Sequence, residues 1–318
     1  MSKFYQALEK AEQERTRRRQ DSVPEQEHAE RPLAQTPVLP PIRRLSRSEH
    51  ETRPPILESF SPPPDSIEAH LVSLLAPETF EAEQYRALSY IIEQLHADAG
   101  LSVLAVSSPA VGDGKTTTAI NLASALTQLP GARVLLADLD IRRPSLPASL
   151  GMEHARGRGI VDFVQDPSVA LDTVLRAYPP SKLTLMLAGQ VPPTPYEILK
   201  SARLEDLIEE VRQHYDYVVL DTPPLVPFPD CRLIERLADG FLVVVGAHRT
   251  PRKLVTESLS VLDPDKVVGV VFNQENQPAL RNYSYYTYDA YHQVETPSGP
   301  LGRVMKGVRG LFRGAAKG

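Results

Sequence analysis

The chain predicts an α/β fold, a mostly parallel twisted sheet with helices on both faces. Three observations predict it. From about residue 80, strand-like and helix-like segments alternate, which is the order that builds parallel sheets with crossover helices. The strand candidates are rich in Val and Leu with little polar alternation, as in strands covered on both faces. The first of them runs straight into a glycine loop and then a helix.

Taken in order, residues 80–97 place Phe80, Tyr85, Leu88, Ile91, Ile92 and Leu95 at helical spacing. Strands follow at 102–107, 133–138, 183–187, 217–221, 241–246 and 267–272. Helices are expected at 115–128, 196–213, 229–238 and 251–262. Upstream, residues 4–19 read as a short amphipathic helix, with Phe4, Tyr5, Leu8 and Ala11 on one stripe. Residues 21–76 hold ten of the thirty prolines, a composition that favours extended, solvated chain. The resulting organisation is a docking helix (1–20), a Pro-rich disordered linker (21–77) and a nucleotide-binding kinase-like domain (78–280). A tyrosine cluster (281–295) and a basic tail (296–318) follow.

Bulk composition narrows the function. The net formal charge of −5 gives no reason to expect nucleic acid. No apolar run reaches the roughly 18 residues of a membrane span, and the start Met1-Ser-Lys-Phe-Tyr-Gln is not a secretory signal. A single cysteine, Cys231, excludes an intramolecular disulfide and a multi-cysteine metal site. It fits a reducing cytoplasm, and Cys231 reads as a small core residue.

Ser108-Pro-Ala-Val-Gly-Asp-Gly-Lys115-Thr-Thr follows the first strand. Backbone N–H groups of such a loop cradle phosphates, and the next helix adds its positive N-terminal dipole. Gly112, Asp113, Gly114, Lys115, Thr116 and Thr117 are the nucleotide-binding candidates. Lys115 would reach the β/γ-phosphates and Thr116 would bind Mg²⁺. The full pattern has Gly where Pro109 stands.

The second strand ends Leu135-Leu-Ala-Asp138-Leu-Asp140-Ile-Arg-Arg-Pro144. Two carboxylates thus emerge at the carboxyl end of a strand, where open α/β sheets bind ligands. They suit Mg²⁺ binding, and one can accept a proton from an attacking hydroxyl. Asp221, closing Tyr217-Val-Val-Leu-Asp221-Thr-Pro-Pro224, fits the Walker-B role. Asn273, at the end of the last strand, is a candidate for contact with the base. Five of the twelve tyrosines, Tyr283, Tyr285, Tyr286, Tyr288 and Tyr291, lie within nine residues past that strand. They read as phosphate acceptors or as an aromatic edge strand. In the tail, Leu301, Val304, Met305, Val308, Leu311 and Phe312 alternate with Arg and Lys. This describes either a basic amphipathic helix on an anionic membrane or a solvated tail, since Gly307, Gly310 and Gly314 weaken a helix.

Together these motifs resemble the bacterial tyrosine kinases of capsule and exopolysaccharide assembly, in their stand-alone cytoplasmic form. Gly189-x-x-Pro192-Pro-x-Pro195-Tyr-Glu-Ile-Leu199 and Ala238-Asp-Gly240 match the family as well. The resemblance covers about residues 79–292. It implies a ParA/MinD-like P-loop fold of the deviant Walker A type, with ATP–Mg²⁺ as donor. It also implies phosphorylation of the C-terminal tyrosines of neighbouring copies. By that analogy Asp138 activates the tyrosine hydroxyl, while Thr116, Asp138, Asp140 and Asp221 manage the metal. Implied partners are a membrane polysaccharide co-polymerase (Wzz-like) as activator, further copies of the chain, and a cognate tyrosine phosphatase. The implied location is the cytoplasm, at the inner face of the cell membrane. The start Phe4-Tyr-Gln-Ala-Leu8 resembles stand-alone members linked to exosortase-type gene clusters. The family's ring contact uses Glu-x-x-Arg-x-x-Arg, where this chain has Glu83, Arg86 and Ser89. The alternative function is a ParA/MinD-like ATPase switch that controls assembly or membrane attachment. Those ATPases carry a Lys where Ala110 stands and lack the tyrosine cluster. A third reading is a pseudo-enzyme scaffold, against which Lys115, Thr116, Asp138, Asp140 and Asp221 all stand intact.

Overall fold

A computed structural model describes residues 58–275 except 154–156 and 227–228. The expected docking helix, the linker up to residue 57, the tyrosine cluster and the basic tail lie outside the described residues. In chain order the elements are β1 (Glu58–Ser59), α1 (Val72–Leu75), α2 (Phe80–Ala99), β2 (Val103–Ser107), α3 (Lys115–Leu126) and β3 (Val134–Asp138). Then come α4 (Leu146–Ser149), α5 (Ile160–Gln165), β4 (Leu175–Tyr178), β5 (Leu183–Met186), α6 (Pro195–Lys200) and α7 (Ala202–His214). The last are β6 (Tyr217–Asp221), α8 (Asp230–Ile234), β7 (Gly240–Gly246), α9 (Arg252–Leu259) and β8 (Val267–Asn273).

These strands form one sheet in the order β1-β4-β5-β3-β6-β2-β7-β8. The six strands from β5 to β8 are mutually parallel, and β4 runs antiparallel to β5. Successive residues of each central strand feed opposite cores. Val103 and Ala105 pack with α5 to α8 on one face, while Leu104 and Val106 pack with α1 to α4 on the other. That two-sided burial explains the unbroken Val/Leu runs.

The six expected strands are the six parallel ones. Two helices differ from expectation. The segment expected as one helix at 196–213 is two, because the Ser201 hydroxyl accepts from the Arg203 N–H at 3.2 Å and starts α7 as its N-cap. The helix expected at 229–238 ends at Ile234.

The linker assignment needs a larger correction, since residues 58–76 belong to the folded domain. β1 pairs with β4, and Leu71 is fully buried. Asn121 of α3 accepts a hydrogen bond from the Ser73 N–H at 2.8 Å and donates to the His70 carbonyl at 3.0 Å. Pro62, Pro63 and Pro64 are compatible with this because β1 is a two-residue edge strand whose continuation makes no ladder.

On α2, Arg86 pairs with Glu83 of its own chain. Ser89 is buried and donates to the Arg86 carbonyl at 2.9 Å. The third ring-motif position therefore offers no charged arm on the outer surface of α2.

Candidate active site

β2 lies inside the sheet between β6 and β7, so the loop it feeds is flanked by their carboxyl ends. Within this loop, Gly112 and Gly114 hold φ of 88° and 92°, values costly for other residues. A Cβ on Gly114 would stand 1.9 Å from Asn273 Nδ2. The loop is braced from outside. The Asp113 carboxylate accepts from the Ala110 N–H at 3.0 Å and the Thr250 hydroxyl at 2.6 Å. Asn273 Nδ2 donates to the Asp113 carbonyl and Gln274 Nε2 to the Gly112 carbonyl, both at 3.0 Å.

The loop opens α3, and the first two residues of that helix meet the acids of β3 and β6. Lys115 Nζ lies 2.9 Å from Asp140 Oδ2 and 3.3 Å from Asp221 Oδ1. Thr116 Oγ1 donates to Asp221 Oδ2 at 2.7 Å and lies 2.8 Å from Ser145 Oγ. Asp138 pairs across the sheet with Asp221, and its carboxylate accepts from the Asp140 and Leu146 N–H groups. The parallel strands bring both Asp side chains to one edge because each closes its strand at the same register.

All three acids are buried, and their negative charge exceeds the positive charge of Lys115. Burial, and then the Asp221 charge, pushes Asp138 well above the ordinary carboxylate range against the pull of Lys115. Burial also raises Asp221, opposed by Lys115 and by the Thr116 hydrogen bond. Burial acts to lower Lys115, but the Asp221 and Asp140 charges outweigh it, so its net direction is up.

This donor set fits a nucleotide–Mg²⁺ group. It combines a left-handed glycine cradle, a helix N-terminus, one ammonium and hard oxygen donors. Among the described residues no three His, Cys, Asp or Glu side chains form a ready-made metal cage. Mg²⁺ in phosphate sites takes only one or two carboxylates and keeps waters and phosphate oxygens. A cavity of about 550 Å³ lined by Ser73, Ser124, Gly131, Pro180 and Lys182 lies by the starts of β3 and β5. It carries none of these groups.

The structure thus brings together Lys115, Thr116, Asp138, Asp140 and Asp221, with Gly112, Asp113, Gly114 and Thr117 in the adjoining loop and first turn. Asn273 lies against that loop. The acceptor tyrosines are outside the described residues. Three features escaped sequence reasoning. Ser145 meets Thr116, Asn121 grips residues 70–73, and a buried Asp230 pairs with Arg142. Each is a long-range pairing with no local pattern. Cys231 is buried, and burial pushes its thiol up to about 12, so it is the inert core residue that was expected.

The AAA-domain family matches residues 101–246. The tyrosine-protein kinase CpsD of Streptococcus agalactiae is 30% identical over 190 residues, covering 58% of this chain and 81% of CpsD. The succinoglycan biosynthesis transport protein ExoP of Rhizobium meliloti is 33% identical over 214 residues, covering 66% of this chain but 27% of ExoP. Among solved structures, the BceF tyrosine kinase domain superposes with a TM-score of 0.57 at 29% identity, covering 64% of this chain and 81% of that domain.

Proposed function

The chain belongs to the family of bacterial tyrosine-protein kinases, and from that premise we propose that it is an ATP-dependent autokinase. It phosphorylates Tyr283, Tyr285, Tyr286, Tyr288 and Tyr291 of neighbouring copies and thereby regulates exopolysaccharide polymerisation and export. The observation that carries this reading is the convergence of Lys115 and Thr116 with Asp138, Asp140 and Asp221 beside a phosphate-binding loop. Similarity to ExoP supports the exopolysaccharide setting.

Bound ATP would supply the phosphoryl group, and Mg²⁺, held by Thr116, Asp140 and Asp221, would offset its charge. Lys115 leaves its carboxylate partners to donate to the β/γ-phosphate oxygens. Asp138 would take the proton from the tyrosine Oη as the new O–P bond forms and the bond from the γ-phosphorus to the β,γ-bridging oxygen breaks, ADP leaving with that electron pair. Asn273 holds the loop closed and faces the base. Phosphoryl transfer needs little covalent work from the protein, so positioning and charge placement carry the catalysis. The activator is the cytoplasmic tail of a membrane co-polymerase, and a cognate phosphatase resets the cluster. Among the described residues no helix is long and apolar enough to cross a membrane. The proposed location is the cytoplasm, with recruitment to the membrane through that partner and the basic tail.

The test is phosphotyrosine mapping by mass spectrometry. The dephosphorylated full chain is incubated with ATP–Mg²⁺, with and without the activator tail. Label on residues 283–291 is expected. ATP hydrolysis without any phosphotyrosine, activator present, would overturn the reading in favour of an ATPase switch.

A further inference from the structure

Two adjacent residues at the start of α8 reach separate acid-bearing loops. Asp230 is fully buried. It accepts both arms of the Arg142 guanidinium, Nη2 to Oδ1 at 2.9 Å and Nε to Oδ2. Its neighbour Cys231 donates through Sγ to the Pro223 carbonyl at 3.3 Å, which also accepts from the Ser107 hydroxyl at 2.8 Å. Asp230 therefore holds the 138–145 loop, and Cys231 holds the turn that follows Asp221.

The 138–145 loop carries much of the site. It includes Asp138, Asp140 and the Ser145 hydroxyl that meets Thr116. Its internal bonds are local, with the Arg143 N–H reaching the Asp140 carbonyl at 3.0 Å and carboxylate at 3.1 Å. The loop is tied to β6 by the Leu139 N–H, which donates to the Asp221 carbonyl at 2.8 Å, and to α3 by Asp140 and Ser145, and the Arg142–Asp230 pair is its tie to α8. A two-armed bond to a buried carboxylate fixes both position and orientation. Solvent competes little for it, because an uncompensated buried charge is costly. Asp140 adds a weaker attraction to the Arg142 guanidinium.

We infer that Asp230 is a positioning residue for phosphoryl transfer, acting through Arg142, a role that rests on the kinase reading above. Among the described residues the Asp230 carboxylate is bonded to Arg142 and not to the nucleotide loop. It fixes the loop whose carboxylates do the chemistry. Loss of the anchor should therefore lower kcat far more than it weakens ATP binding.

The experiment measures autophosphorylation kcat, ATP affinity by titration with a fluorescent nucleotide analogue, and thermal melting on the full chain. The variants are Asp230→Asn, Arg142→Lys, and the double change Arg142→Met with Asp230→Leu. The double variant replaces the ion pair by apolar groups of similar volume and is the one expected to keep the fold. Each folded variant should lose about 100-fold in kcat, the scale of an ångström-level misplacement, with ATP affinity unchanged. Because the pair acts as a unit, the double variant should lose no more than Asp230→Asn alone. Wild-type kcat in the folded double variant would overturn the role. So would wild-type kcat in Arg142→Lys, which keeps the charge but loses the fork. The wild type run in parallel separates the two failures. No phosphotyrosine from it overturns the kinase reading and this role together, whereas equal labelling of wild type and variants overturns this role alone.

Discussion

Two turns of α3 face different surroundings. Its first turn places Lys115 between Asp140 and Asp221, with Asp138 at the same sheet edge, all largely out of water. Its second turn presents Asn121, a neutral amide fully paired with the His70 and Thr117 carbonyls and the Ser73 N–H, beside the buried Leu71. One region concentrates like charges that repel until a nucleotide and metal arrive. The other joins apolar surface and satisfied neutral hydrogen bonds. A change in the first should alter activity and electrostatic strain, and a change in the second should alter stability alone.

The largest expected effect lies in the first region. Lys115→Met removes the cation that stabilises the transferring phosphate, so autophosphorylation should fall by about 100- to 1,000-fold, the loss typical of one removed electrostatic contact. The same change strips the buried carboxylates of their counter-charge, so the variant should also melt at a lower temperature. Phosphotyrosine blotting and a melting scan check both. Wild-type phosphotyrosine in Lys115→Met would break the assignment of this turn to catalysis.

Leu71→Ala probes the second region. Removal of a fully buried leucine should cost about 2–5 kcal/mol of folding stability, read by urea denaturation. At low temperature kcat per folded molecule should stay unchanged. If kcat falls while the urea midpoint holds, residues 58–76 influence catalysis and the contrast between the two turns fails.

That segment also marks the limit of what the sequence reveals. The central sheet and the charged site were legible because each rests on a local signal. Buried parallel strands must be continuous runs such as Val103–Ser107, and phosphate binding needs the glycine-lysine loop directly after one. Two acids at strand ends become neighbours as soon as the strands pair in register. Residues 58–76 carry the opposite local signal. Their prolines suit extended chain in isolation, and only tertiary contacts with α3, α4 and β4 bury Ile67 and Leu71. The short antiparallel β4, Leu-Arg-Ala-Tyr, has too little apolar length to stand out. Asp230 and Arg142 lie 88 residues apart, so no window of sequence shows that they meet. Asn273 was legible as a strand end at the site. Its grip on the Asp113 carbonyl was not, because that depends on how β8 lies against the loop.

The smallest expected effect has an unusual sign. Asp138 binds its proton more tightly in the folded chain than a free carboxylate does, chiefly through burial and then the Asp221 charge. Between the ordinary carboxylate pKa and the raised one, the folded state therefore holds more protons than the unfolded state. In that window stability falls as pH rises, and above it the ionised group opposes folding. Asp138→Asn removes this opposition while keeping one oxygen to accept from the Asp140 N–H, at the loss of the longer 3.4 Å bond from the Leu146 N–H to the other carboxylate oxygen. At neutral pH, without nucleotide or metal, the variant should melt higher than wild type, by about 2–4 °C for each kcal/mol relieved. The gain should shrink toward zero as pH falls to the ordinary carboxylate range, where both chains are uncharged at this position. Autophosphorylation should meanwhile drop by about 100-fold or more with the base removed. Lys115→Met and Asp138→Asn would then both cut activity steeply while moving stability in opposite directions. Uniform destabilisation by both would mean that the three carboxylates support the fold rather than strain it.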